Sequence, residues 1–481
     1  MQNIKIGKRN LLLTLIWFII SFMESFLVRF FYDEGNGLFS VALLLVVNLC
    51  IQLITLKICN RRIISFFGAF IVFMYLFHFG QVFSTAFFSN VDFDTMNYLV
   101  VYMKEKDYAL KSIEICLNTI NFFFIGGVLS SDSIDYSDKR ETADSLQICL
   151  SYGKILFVIS FPFRLFFDIE RFLIAARSGY SGVINERVVL PGVFSTIASF
   201  WYISLAILLI GITDKRKESK IIIYSTIYMV VTMLSGERGH QLICMISLVI
   251  IFIQKNNIII GCKKILSYSA VGVIMLFFID LVFDIRQYSI SYFISNFSEF
   301  TSNVLKKNVI IETIHSFGAT IFTPYLVVKG MGTDYNPLFG ETFIKSTSQI
   351  FPAVTDSMRA INNGSILGRA LNTDHAIGGS FAAELYYDFR GFYFVASALL
   401  GYIYGRFSSS LPYYIQNRDG YRICKIVPYM IYSLWWIRDS VGNITRPIVW
   451  LLLVLFIISH YSFARSKTVL QGEPYAKKNS I

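Results

Sequence analysis

Apolar residues in this chain come in long runs, separated by short polar stretches that carry most of the charge. An α-helix needs roughly 20 mostly apolar residues to cross a hydrocarbon layer. The pattern predicts about twelve such spans, at 11–31, 38–57, 63–85, 109–130, 153–175, 191–212, 220–236, 239–254, 265–283, 389–405, 424–438 and 446–462. The seventh, eighth and eleventh are short, and are expected to be tilted pairs or partly re-entrant segments. One long interval, 284–388, breaks the series. It is too apolar for a solvated linker. Ile310, Ile314, Phe317 and Ile321 recur there at helical spacing, and a mixed stretch follows at 342–351. These are expected to be short amphipathic helices lying along the membrane surface. The fold class that follows is an all-α polytopic membrane protein, a single transmembrane domain over 1–481 with one large outward loop.

Charge orients the pattern. With both termini inside, the inner stretches are Lys5 to Arg9, Lys57 to Arg62, Lys139/Arg140, Lys215 to Lys220, Lys255 to Lys264, Arg406 to Lys425 and Arg465 to Lys478, and they hold 23 Lys and Arg. The five short outward loops hold eight. Lys and Arg accumulate on the cytoplasmic side of membrane proteins. The register therefore places both termini in the cytoplasm and the 284–388 loop on the outer face.

Composition agrees and narrows the function. Of 481 residues, 55% are hydrophobic and 16% charged, with a mean hydropathy of +0.57; a soluble chain carries about a quarter charged. The net charge of +11 is scattered over short loops, with no basic domain interleaved with aromatics, so membrane lipids rather than nucleic acid are the expected surroundings. Seven cysteines form no CxxC and none falls in a stretch read as outward, which excludes a disulfide framework and a zinc site. No small-residue cleavage site follows the first apolar run, which is expected to be a retained anchor.

Three charged clusters lie within or beside the spans, where ionisable groups are expensive and mark function by default. Arg164, Asp168 and Arg171 share one helical face of the fifth span. That face lines a cavity or meets another helix, with Asp168 expected to orient both guanidiniums. Leu234-Ser235-Gly236-Glu237-Arg238-Gly239-His240 opens the eighth span, and a helix start beside an arginine makes an anion site. The third cluster closes the long loop with Arg369, Asp374, His375, Gly378, Gly379 and Ser380, then Glu384, Asp388 and Arg390. Ser380, Glu384 and Asp388 share a helical face. The nearby tyrosines and Trp435/Trp436 are equally suited to an interfacial belt and to stacking on sugar rings. Asp92 and Asp94 form a DxD too short to carry a metal site, and the isolated His78 and His460 are expected to be hydrogen-bonded core residues.

Taken with the large late loop, Ser235-Gly236-Glu237-Arg238-Gly239 and the run Gly378-Gly379-Ser380-Phe381-Ala382-Ala383-Glu384-Leu385-Tyr386-Tyr387-Asp388-Phe389-Arg390-Gly391 resemble the bacterial O-antigen polymerases, the Wzy-type oligosaccharide repeat-unit polymerases. The resemblance implies a GT-C-like fold and an inverting, metal-independent glycosyl transfer on the periplasmic face, without a cofactor. The donor it implies is a glycan on undecaprenyl pyrophosphate, the acceptor a single lipid-linked repeat unit, and a further partner a chain-length regulator protein. In that family, arginines of two outward loops are functional. Arg171 with Gly182 matches one spacing, whereas Arg286, Arg359 and Arg369 match no second one.

On this resemblance the pyrophosphate falls to Arg164, Arg171, Arg238, Arg369 and Arg390. The acceptor proton falls to Glu384 or His375, with Glu237 a weaker choice. A lipid-linked oligosaccharide flippase would need no hundred-residue outer loop and would be expected to show internal repeats. An O-antigen ligase shares the donor chemistry and differs only in the motif wording.

Overall fold

The computed structural model describes residues 8–33, 37–59, 61–89, 91, 93, 96–130, 145–185, 192–233, 235, 239–258, 290–298, 301–302, 308–331, 336, 339–348, 350–351 and 379–471. The described elements are helical throughout. The first eight long helices are α1 (Lys8–Asp33), α2 (Gly37–Ile58), α3 (Phe66–Phe87), α4 (Lys106–Leu129), α5 (Ser145–Asn185), α6 (Gly192–Gly211), α7 (Lys215–Met233) and α8 (Gly239–Lys255). Shorter ones follow, a six-residue helix at Ile290–Ser295 and then α9 (Val309–Gly318), α10 (Phe322–Gly330) and α11 (Glu341–Ser348). The chain closes with α12 (Phe381–Phe389), α13 (Tyr393–Gln416), α14 (Gly420–Trp436) and α15 (Val441–Gln471). Each expected span falls on one of these helices except 265–283, which lies outside the described residues.

By length and composition, seven described helices can cross a membrane: α1, α2, α3, α4 with the turn before it, α5, α6 and α15. Their burial separates a lipid-facing shell from a centre. Only 22% of the most apolar window of α1 is covered by protein, against 89% for α4. Leu12, Ile19, Phe22 and Phe26 of α1 are accordingly exposed, as lipid-facing side chains should be. The centre is α3, α4 and α13, where Phe70 stacks on Phe123 at 4.3 Å and Tyr404 lies 4.9 Å from Phe70. Helices approach this closely in membranes only over small residues. A Cβ on Gly126 would lie 1.9 Å from the Ala398 carbonyl oxygen, and one on Gly401 would lie 2.0 Å from that of Phe123.

The basic turns gather at one end of the bundle. The Arg62 guanidinium and the Gln416 amide both donate to Asn257 Oδ1, at 2.8 and 3.2 Å. Arg61 donates to the Ser130 hydroxyl at 2.8 Å, and Lys255 Nζ to the Leu209 carbonyl at 2.6 Å. The start of α8 and the breaks between α12 and α13 and between α14 and α15 lie toward the opposite end.

Helices form in the long interval where spacing predicts them, and α9 has a protein neighbour. It is docked against the upper part of α3, with Gly80 and Gly318 face to face. A Cβ on Gly318 would lie 2.0 Å from the Gln81 backbone nitrogen. His315 is fully buried there, 2.7 Å from the Ser84 hydroxyl and stacked on Phe93 at 3.8 Å. Of the stripe read from spacing, Phe317 and Ile321 are buried and Ile314 is half-buried, whereas Ile310 is 42% exposed and its neighbour Ile311 turns inward instead.

α14 has 17 residues and so rises about 25 Å, less than a ~30 Å hydrocarbon core. Its end at Trp436 and the start of α15 at Val441 therefore form a break within the bundle, which α12 fills.

Candidate functional site at the broken helices

Ser380 begins α12 because its side chain accepts from the Ala383 backbone N–H, satisfying one of the free donors of a helix start. The same hydroxyl donates to His78. Nδ1 of His78 lies 2.9 Å from the Met74 carbonyl, which can only accept, so Nε2 is the bare nitrogen that receives the Ser380 proton at 2.9 Å. His78 is thus the hydrogen-bonded core histidine expected from the sequence. Gly379 lies directly on Asp439, where a Cβ would come within 2.5 Å of the Asp439 carbonyl oxygen. The start of α12 is filled by protein.

One turn along, Glu384 is 0% exposed and accepts from Trp436 Nε1–H of α14 and from the Val441 N–H that opens α15. A carboxyl at a helix N-terminus answers both the unpaired N–H and the positive end of the dipole. α12 is too short to cross the membrane. Burial raises Glu384 to about 8, while the Trp436 and Val441 bonds pull the other way. Asp388, a turn further, accepts from the Thr342 backbone N–H at 3.2 Å and from its hydroxyl, which ties α11 to α12. Burial raises it to about 6, opposed by those Thr342 bonds. The shared face read from Ser380, Glu384 and Asp388 is real and faces protein.

α5 supplies the second part. The Arg164 guanidinium makes a two-pronged contact with Asp168, Nε to Oδ2 at 2.8 Å and Nη2 to Oδ1, and both side chains are buried. Tyr228 of α7 donates to Asp168 Oδ2 at 2.7 Å. Arg164 also lies 5.0 Å over the Tyr202 ring. Arg171, two turns on, stacks at 4.5 Å over Phe167 and is half-buried.

Aromatic rings join the two parts. Tyr202 of α6 meets Trp435 edge-on at 5.3 Å, and Trp435 packs against His240 at 4.3 Å. Trp436, the next residue, holds Glu384. The structure therefore brings the Arg164–Asp168 pair, the start of α8 and the start of α12 around one tryptophan pair. At the start of α8, a Cβ on Gly239 would meet no atom of the described residues within 4 Å. Arg390 is not part of this grouping. It sits at the far end of α12, exposed and at a positive φ of 43°, in the break before α13. Arg238, Arg369 and His375 lie outside the described residues, as do Glu237, Asp92 and Asp94.

Three neighbours of the junction escaped the sequence reading. His240 was read only as the end of a motif. Asp439 is raised by burial, opposed by its bond from Asn443 and by the field of His240. Arg438 is exposed and lies 6.0 Å from the Phe77 ring centroid. The available signal was the polar Arg438-Asp439-Ser440, one residue after two tryptophans and between apolar spans. Among the described residues, no three His, Cys, Asp or Glu side chains gather as a metal would require. Tyr202, Trp435 and Trp436 are themselves buried, so these rings tie the charged clusters together.

The family model described as O-antigen polysaccharide polymerase Wzy matches residues 13–467 of the chain. No curated protein and no solved structure matches it.

Proposed function

We propose, because the chain belongs to the O-antigen polysaccharide polymerase Wzy family, that the junction of α5, α8, α12 and α14 is where its repeat units are joined. The protein is an integral membrane polymerase of lipid-linked O-antigen repeat units. In this proposal the reaction is an inverting glycosyl transfer on the periplasmic face of the inner membrane, with both termini cytoplasmic, the 284–388 loop periplasmic and no metal. The acceptor hydroxyl oxygen attacks the anomeric carbon of the donor, the bond from that carbon to undecaprenyl pyrophosphate breaks, and the pyrophosphate leaves with the electron pair. A chain-length regulator is the expected protein partner.

The observation that supports this reading best is the meeting of separate charged clusters on a shared aromatic floor, away from the basic turns. A pyrophosphate leaving group gains negative charge, and guanidinium groups stabilise it without a metal. Arg238 directly precedes Gly239 at the start of α8 and is assigned the pyrophosphate directly. Arg164 is held by Asp168 and shapes the floor through Tyr202, and Arg171, Arg369 and Arg390 are assigned to the approaching donor. His375 takes the acceptor proton ahead of Glu384, because the Glu384 carboxyl is enclosed, already accepts two N–H groups and is largely protonated at neutral pH. Glu384 then positions the three helix ends.

The purified protein, given lipid-linked repeat units, should polymerise them at an undiminished rate in EDTA. Loss of turnover that magnesium or manganese restores would move the chemistry to Asp92 and Asp94 and overturn the arginine mechanism.

A further inference from the structure

A second polar centre lies apart from the junction, among α1, α2, α3 and α4. Glu24 of α1 is 5% exposed in the middle of an apolar helix. Its Oε2 accepts from Asn48 Nδ2 of α2 and from Asn121 Nδ2 of α4, both at 2.7 Å. Gln52, one turn from Asn48 on the same face of α2, donates to Asn121 Oδ1 at 2.8 Å, and Asn48 donates to that oxygen at 2.9 Å. Both N–H groups of Asn48 and one each of Asn121 and Gln52 are thereby given to two acceptors. Left over are Asn48 Oδ1, Gln52 Oε1 and the hydroxyl of Tyr75 on α3, all buried and without a hydrogen-bond partner. Tyr75 lies within the electrostatic reach of Glu24. No lysine or arginine pairs with Glu24 among the described residues. The basic group nearest in sequence, Arg29, is bound to Glu114.

The centre thus holds one buried carboxyl group and three further buried oxygen atoms without hydrogen-bond partners. Hard monovalent cations meet that chemistry: carboxylate, amide carbonyl and hydroxyl oxygens are their ligands, and a single positive charge neutralises the carboxylate. A divalent ion would leave an uncompensated positive charge in the apolar layer. We infer that Glu24, Asn48, Gln52 and Tyr75 bind a sodium-type cation that fastens α1 and α2 to the centre of the bundle. Asn121 is the second-layer group, holding the carboxylate and both amides in place.

The test uses the purified full-length protein, with thermal unfolding followed in sodium chloride and in choline chloride at equal ionic strength. The unfolding midpoint should rise with sodium and saturate. Glu24→Gln should abolish the response, and Gln52→Leu, which keeps the charge and removes one oxygen, should weaken the apparent sodium affinity roughly tenfold. If Glu24→Gln does not fold, the Gln52→Leu shift and direct binding of radioactive sodium to the wild type carry the test. Equal midpoints in sodium and choline would overturn the site, as would a sodium response that survives Glu24→Gln. A midpoint that ignores sodium but depends on pH through Glu24 would mean that a proton neutralises the carboxylate, and would overturn it too.

Discussion

The two halves of the junction handle buried charge differently. On the α5 side, Asp168 faces a permanent cation, Arg164, with Tyr228 as a second donor. On the α12 side, Glu384 has neutral donors only, Trp436 and the start of α15. A pair such as Arg164–Asp168 keeps its charges and transmits them to the ring of Tyr202. A carboxyl such as Glu384 is sealed and sits close to its own titration point. The first half is suited to setting the field at a reacting centre, the second to fixing where helix ends lie.

The largest effect that sharpens this contrast is expected at Asp168. Asp168→Ala removes the carboxylate that the buried Arg164 guanidinium grips with two N–H groups, which should lower stability by about 3–5 kcal/mol. Denaturant or thermal unfolding of the purified protein measures it, and a loss below about 1 kcal/mol would mean that water already reaches Arg164. Glu384→Ala comes next. It strands the Trp436 and Val441 N–H groups, at about 1–3 kcal/mol for a buried donor left unmade, and the same measurement applies.

The pH dependence of stability separates the halves most cleanly. Because burial raises Glu384 above the usual carboxylate range, the folded protein holds its proton more tightly than the unfolded chain does. Its stabilising contribution is complete below the unfolded pKa near 4.5 and is lost as pH rises through about 8. The wild-type unfolding midpoint should therefore fall between those limits by more than that of Glu384→Gln, which cannot titrate. Parallel pH profiles would show that Glu384 is solvated and free to act as a base.

The contrast also explains what the sequence could and could not reveal. Helix positions were legible because a span must be a continuous apolar run, whatever packs around it. Arg164 and Asp168 were legible because their contact lies within one helix, at a spacing fixed by its geometry. The partners of Glu384 stand 52 and 57 residues away, and only the fold brings Trp436 and Val441 to it. Glu24 went unnoticed for the same reason, since its amides come from two other helices. The docking of α9 on α3 depends on two glycines in distant segments, so spacing alone gave the stripe and not what covers it. The break at Arg390 follows from a positive φ that nothing in arginine itself favours.

The central claim is that guanidinium charge at this junction, not a metal, carries the leaving pyrophosphate. Its most direct test is the rate of repeat-unit joining by the purified protein with Arg238 replaced. Arg238→Ala should slow joining by roughly 10²–10³-fold, the usual effect of removing one group that stabilises charge in a transition state. Arg238→Lys should be clearly impaired, because it keeps the charge and loses the planar fork. Both proteins should unfold at the wild-type temperature. Full-length polymer made by Arg238→Ala at the wild-type rate would contradict the account.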